Sequence, residues 1–123
     1  MLTARVEAVL RGVADLDDTI RRLQAFETVG ADVLYAPGLT SLDQVMEVTS
    51  ALTKPFNVLA PFIRGATLAD FAQAGAKRVS VGGALARVAF GSLMTAAKEM
   101  RKDGAFDWMG GISASNGLDE LLS

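Results

Sequence analysis

Short runs with alternating apolar and polar residues take turns along the chain with longer runs whose apolar positions recur every three or four residues. The first short run, LTARVEAV at residues 2–9, has a period of two. In an extended strand Leu2, Ala4, Val6 and Ala8 share one face, and Thr3, Arg5 and Glu7 share the other. A helix follows, with Asp17 or Asp18 placed to cap it, Ile20, Leu23, Phe26 and Val29 as its apolar stripe, and Gly30 as its stop. ADVLYA at 31–36 is the second strand, closed by Pro37-Gly38. Ser41 with Gln44 has the form of a capping box. Leu42, Val45, Met46, Thr49 and Leu52 carry the helix on until Lys54-Pro55 breaks it. FNVLA at 56–60 is the third strand. Thr67 with Asp70 opens a short helix bearing Leu68, Phe71 and Ala72 and ended by Gly75. KRVSV at 77–81 is the fourth strand, and a long helix runs over 84–102 to a stop at Gly104. After a looser stretch, LDELL at 118–122 reads as a last short helix.

Four strand–helix units in a row imply an α/β fold with a parallel sheet and right-handed crossovers. Gly30-Ala31-Asp32-Val33 and Gly75-Ala76-Lys77 both sit where a helix end feeds a strand, two units apart. This is the rhythm of a (β/α) barrel. A complete (β/α)8 TIM barrel takes roughly 250 residues, and this chain has 123. The expectation is half a barrel over residues 1–106, followed by a tail over 107–123 with the short terminal helix. Four curved parallel strands leave two unpaired edges and an open face, which invite association. The chain is then a fragment lacking its N-terminal half, or a homo-oligomer whose copies complete one another.

Composition narrows the chemistry. Half the residues are hydrophobic, so a core can form. The net charge of −2, with both signs interleaved, gives no reason to expect nucleic acid or an anionic membrane as partner. There is no cysteine and no histidine. Disulfides, thiolate nucleophiles and cysteine metal sites are excluded, and so are the commonest general base and zinc ligand. Acid–base work falls to Asp, Glu, Lys or Tyr. Arg5, Glu7 and Arg11 interrupt the N-terminus as a signal peptide, and no apolar run suffices to span a bilayer. A cytoplasmic protein is the default expectation.

Arg5 and Glu7 are the first candidates. If the other face of their strand meets the helices, both point toward the barrel axis near the catalytic, C-terminal end. There Arg5 clamps a carboxylate or phosphonate with paired hydrogen bonds, and Glu7 orients it or joins a metal shell. A structural ion pair on an edge strand explains the same spacing. Asn57 is a polar amide between Phe56 and Val58, which face the helices. A buried amide needs partners, which a ligand or neighbouring backbone supplies. In VSVGGALAR at 79–87, Gly82 and Gly83 stand between a strand and a helix. Free N–H groups there could hold an anion. The motif lacks the spacing of a dinucleotide or P-loop signature, and a tight turn with close helix packing is the favoured reading. Tyr35 and Lys54 carry no assigned role. Trp108 and Met109 look like anchors for packing or a subunit contact.

ARVEA at 4–8, LDDTIRRLQAFETVGADVLYAPGL at 16–39, KPFNVLA at 54–60 and KRVSVGGALAR at 77–87 resemble, in order and spacing, the isocitrate lyase / phosphoenolpyruvate mutase family. The resemblance runs from Thr3 to about Phe106. It implies a (β/α)8 barrel, often with its last helix exchanged between subunits, of which these strands are similar to strands five to eight. It also implies an Mg2+-assisted enzyme that cleaves or forms C–C bonds in small 2-oxo or 2-hydroxy carboxylates, or rearranges P–C bonds, through an enolate. By position, Arg5 matches the arginine that binds a substrate carboxylate or phosphonate. Glu7 matches the acidic position two residues on and takes the catalytic role, and Asn57 matches the polar, substrate-binding position of the seventh strand. The family's Mg2+-holding aspartates and its mobile lysine–cysteine–glycine loop belong to earlier strands, so no metal is expected to be held by this chain alone and no turnover is expected of it. Ala36-Pro37 stands where some lyases carry a glutamate, which points away from isocitrate and methylisocitrate lyases. A non-catalytic half-barrel that self-associates or binds a partner is the rival reading. A barrel enzyme for phosphorylated sugars using the Gly82-Gly83 turn is a third.

Overall fold

The computed structural model describes residues 1–13 and 15–111. It divides into two compact units, Met1–Gly82 and one beginning at Gly83. The first unit holds four parallel strands, β1 (Thr3–Arg5), β2 (Val33–Tyr35), β3 (Phe56–Leu59) and β4 (Arg78–Ser80), adjacent in chain order. Helices α1 (Leu16–Thr28), α2 (Leu42–Ser50) and α3 (Leu68–Gln73) alternate with them. This is the expected α/β arrangement, four strands of a TIM-barrel-like fold.

Alternation along the strands decides which face meets the helices. Leu34, Phe56 and Val58 are buried in one cluster with Leu23 of α1, Val45 and Val48 of α2 and Phe71 of α3. Ala4, Ala8 and Val79 pack against that cluster, and Val6 belongs to it. A buried aliphatic or aromatic side chain is worth about 1.5–3 kcal/mol relative to exposure, so this shared layer holds helices to sheet. The opposite face carries Thr3, Arg5, Tyr35, Asn57, Arg78 and Ser80.

The first strand is shorter than its pattern. Pairing with β2 ends with Val6, whose N–H donates to the Tyr35 carbonyl. The chain then coils into a 3-10 turn, Val9–Arg11, ended by Gly12 at φ 84°. An edge strand has a ladder on one side only, so nothing holds residues 7–9 extended. Val6 is still buried in the helix-facing cluster, and Ala8, half-buried, packs against it. Gly38, at φ 101°, backs onto this turn: a Cβ there would lie 2.8 Å from the Leu10 nitrogen.

Capping explains the helix ends. The α1 cap is Asp15, which accepts from the Asp18 N–H at 2.8 Å, and not Asp17 or Asp18. Those two occupy the first turn, where negative charge suits the helix dipole. Val29 lies beyond the helix and is 80% exposed, so it leaves the expected stripe. At α2, Ser41 accepts from the Gln44 N–H, but Gln44 reaches back to the Thr40 N–H at 2.8 Å, one residue before the cap. Thr67 and Asp70 form the complete box at α3.

The second unit contains α4 (Ala84–Asp103), whose carboxyl end is closed by Gly104 at φ 63°. Arg101 and Lys102 fill its last turn, as the dipole favours. The Asp107 N–H donates to Glu99 at 3.1 Å and ties the turn Asp107–Gly111 to the helix. Trp108 lines a concave space of about 780 Å³ along α4, and its indole nitrogen is buried without a partner among the described residues. The Met109 side chain and the LDELL segment lie outside the described residues. Gly82 takes φ 54°, the left-handed region that favours glycine, whereas Gly83 at φ −84° does not need to be glycine. The close turn thus accounts for one glycine of the pair. No helix of the described residues is long and apolar enough to cross a membrane.

Candidate functional site

Strand register sets one row of side chains across the sheet, on the face away from the helices. Arg5 pairs with Tyr35, Tyr35 with Asn57, and Asn57 with Arg78. Each belongs to a different strand, and each alternates with an apolar neighbour buried against α1–α3. The row is the direct consequence of period-two strands placed side by side.

Arg5 ends β1, at the carboxyl edge of the sheet where barrel ligands bind. Its Nε is ion-paired with the Glu7 carboxylate. Its guanidinium carbon lies 5.1 Å from the centre of the Tyr35 ring. Glu7 is not in the strand; it lies just past the end, where the chain turns, and Arg11 also approaches its other carboxylate oxygen at 3.9 Å. The carboxylate therefore bridges two guanidiniums. Arg5 and Glu7 are both partly exposed, 46% and 38% by side chain, so their pairing is screened by water and contributes little to stability. Its consequence is orientation.

Asn57 is 1% exposed and fully engaged by side chains. It accepts from Arg78 Nε at 2.9 Å and donates to Ser80 Oγ at 2.9 Å. The Ser80 hydroxyl also lies 3.2 Å from the Val58 carbonyl as a donor. Asn57 thus holds the Arg78 side chain by one edge of its guanidinium. Neither Arg78 nor Ser80 figures among the sequence-based candidates. The signal was present: in KRVSV both alternate with Val79 and Val81 and so share the face of Asn57. Tyr35, with no role assigned from sequence, sits in the middle of the row.

A cleft of about 500 Å³ opens between the loops that follow β2 and β3, lined by Thr40, Ser41, Asp43, Ile63, Arg64 and Asp70. Hydrogen bonds from the Thr67 hydroxyl and then its N–H hold the Asp70 carboxyl below its ordinary range. Asp70 is thereby committed to its cap. Among the described residues no three acidic, histidine or cysteine side chains gather in a way that could hold a metal ion. Glu7, the carboxylate beside the row, already faces two guanidiniums, whereas Mg2+ demands an octahedral shell of oxygens. The described residues do not fit a magnesium site. What they supply on this face are the guanidinium donors of Arg5 and Arg78, a chemistry suited to an anion.

Comparison with known proteins agrees with this fold. The family model for phosphoenolpyruvate phosphomutase matches residues 1–101. A solved structure of a lyase/mutase-class protein from Burkholderia cenocepacia J2315 is 47% identical with a TM-score of 0.88, covering 99% of this chain and 44% of that one. The phosphoenolpyruvate phosphomutase of Streptomyces platensis subsp. rosaceus is 26% identical with a TM-score of 0.75, over 99% of this chain and 46% of that one. An oxaloacetate decarboxylase of Rhodopseudomonas palustris (strain HaA2) is 33% identical over 69 residues, 56% of this chain and 23% of its own. The chain spans less than half the length of each of these proteins. It belongs to the phosphoenolpyruvate phosphomutase family.

Proposed function

We propose that this chain is the carboxylate-holding part of a lyase or phosphonomutase-type enzyme. In this reading Arg5 grips a carboxylate or phosphonate of the substrate with its free N–H edge. Glu7 holds the opposite edge, so its part in catalysis is to set the arginine rather than to touch the reacting atoms. Asn57 lines the same face and acts through Arg78. The bond broken or made is C–C or P–C, beside the carboxylate. The Mg2+ that the resemblance implies would be held by segments of the full enzyme other than these residues, and this chain alone is expected to bind the anion without turning it over. The observation that carries the reading is Arg5 itself, fixed between Glu7 and Tyr35 at the carboxyl edge of the sheet.

Oxalate is a suitable probe, since it presents two carboxylates and no reactive bond. Calorimetric titration of the full chain should show oxalate binding. Arg5→Ala should weaken it roughly 10- to 100-fold, the worth of one charge-assisted bidentate contact. Binding unchanged in that variant, or absent in the parent chain, would overturn the assignment.

A second reading has its own observation. Leu85, Val88, Phe90, Leu93 and Met94 of α4 are each more than half exposed. A half-barrel that self-associates or recruits a protein partner explains this surface without any catalysis. The two readings part on oxalate: a pure association module has no use for Arg5.

A further inference from the structure

We propose that Tyr35 is a positioning residue for Arg5: its ring is the platform that holds the guanidinium in the plane from which it meets an anion. The proposal rests on the reading of Arg5 as the substrate-holding residue. Three observations lead to it. Arg5 and Tyr35 are register partners on adjacent strands, so their side chains leave the sheet side by side. The guanidinium carbon is 5.1 Å from the ring centre, within the range of a cation–π contact. Glu7 engages the Nε edge of the same guanidinium.

These two contacts are complementary. The carboxylate fixes rotation in the guanidinium plane, and the ring fixes the plane itself. Without the ring, Arg5 could swing about its long stem while keeping Glu7 as a pivot. With it, the remaining N–H groups are aimed before a ligand arrives, so less side-chain freedom is lost on binding. Tyr35 is also on the wrong face to serve the core: Leu34, its neighbour, is the residue buried against the helices. The contact uses the ring face, not the hydroxyl, which makes a sharp distinction between substitutions.

The test compares Tyr35→Phe, Tyr35→Trp and Tyr35→Leu in the full chain. One readout is oxalate affinity by calorimetry. The other is the Arg5 side-chain proton shifts by NMR, which a ring stacked on the guanidinium moves upfield. Tyr35→Leu should weaken oxalate binding roughly two- to fivefold and remove the upfield shift. Phe and Trp should keep both. If Tyr35→Leu binds oxalate like the parent while Arg5→Ala does not, the platform proposal fails and the Arg5 reading survives. If no form binds oxalate, the Arg5 reading fails, and the platform is still judged by the shifts: Arg5 protons indifferent to the loss of the ring would overturn it. Should Tyr35→Leu not fold, unchanged Arg5 protons between Phe and Trp, whose ring currents differ, would serve the same purpose.

Discussion

At the scale of single residues, Asn57 shows how a polar group earns a place inside an apolar strand. Its amide joins Arg78 and Ser80, and removing it leaves Arg78 Nε without this partner and Ser80 with the Val58 carbonyl alone. Asn57→Ala should cost about 2–3 kcal/mol, the desolvation of the orphaned groups plus a small cavity. Urea unfolding at neutral pH measures this. Asn57→Leu, which fills the space but pairs nothing, should not recover the loss. From sequence, the inward direction of Asn57 was legible because Phe56 and Val58 on either side are apolar. Its partners were harder to read, since they lie more than twenty residues away and only strand register brings them opposite. Arg5 was legible as an inward charge for the same reason. The ring beneath it was not, because nothing in ADVLYA says which residue of the neighbouring strand it will face.

At the scale of elements, most boundaries followed local chemistry: Thr67 with Asp70 caps α3, and Gly104 stops α4. The first strand departed from its pattern because period two tells which side a residue faces, not whether a neighbouring strand exists to hold it extended. Gly38 makes that departure testable. It combines a positive φ with backbone contact against Leu10, in the turn that carries Glu7 and Arg11. Gly38→Ala should destabilise by roughly 2–4 kcal/mol through strain and overlap. It should also loosen Glu7 and weaken oxalate binding, which calorimetry would register alongside the unfolding midpoint. A second latch joins α1 to the loop before β3. Glu27 accepts from the Thr53 N–H at 2.6 Å, its hydroxyl at 3.1 Å and the Lys54 N–H at 2.5 Å. Slight burial pushes the Glu27 carboxyl up, but these bonds and the Lys54 charge outweigh it and hold it below its ordinary value. Such a group adds stability above the ordinary carboxylate range and loses it as pH falls through the lowered value. Glu27→Gln should therefore lower the urea midpoint at pH 7, and the difference from the parent should shrink as acid is added below about pH 4.5. An unchanged gap down to pH 3 would mean the latch is not electrostatic.

At the scale of the whole molecule, the sheet ends in two edges, β1 and β4, each paired on one side only among the described residues. Unpaired backbone donors and acceptors invite another chain. α4 adds a second invitation. Its exposed Leu85, Val88, Phe90, Leu93 and Met94 spread around more than half its circumference at about 3.6 residues per turn. Arg87, Lys98 and Lys102 occupy the other side of the helix, so α4 is amphipathic, and an exposed apolar face of this width is one that a partner or a larger core covers. The length arithmetic that made a half-barrel legible from sequence also foretold open edges; the breadth of the apolar surface on α4 needed the structure, since the same residues could have packed into an internal core. Light scattering over a range of concentrations separates the outcomes. The parent chain should form a discrete species larger than its 12.9 kDa monomer. Phe90→Glu, which places a charge on that surface, should shift it toward monomer at a given concentration, with helical content kept. A parent chain that stays monomeric throughout would mean that α4 is covered only in a longer protein. A discrete dimer that Phe90→Glu leaves intact would move the contact to the strand edges, where Thr3→Pro would be the next substitution: Leu2 and Val6 bond to β2, so by alternation the Thr3 N–H faces the open edge and proline removes it.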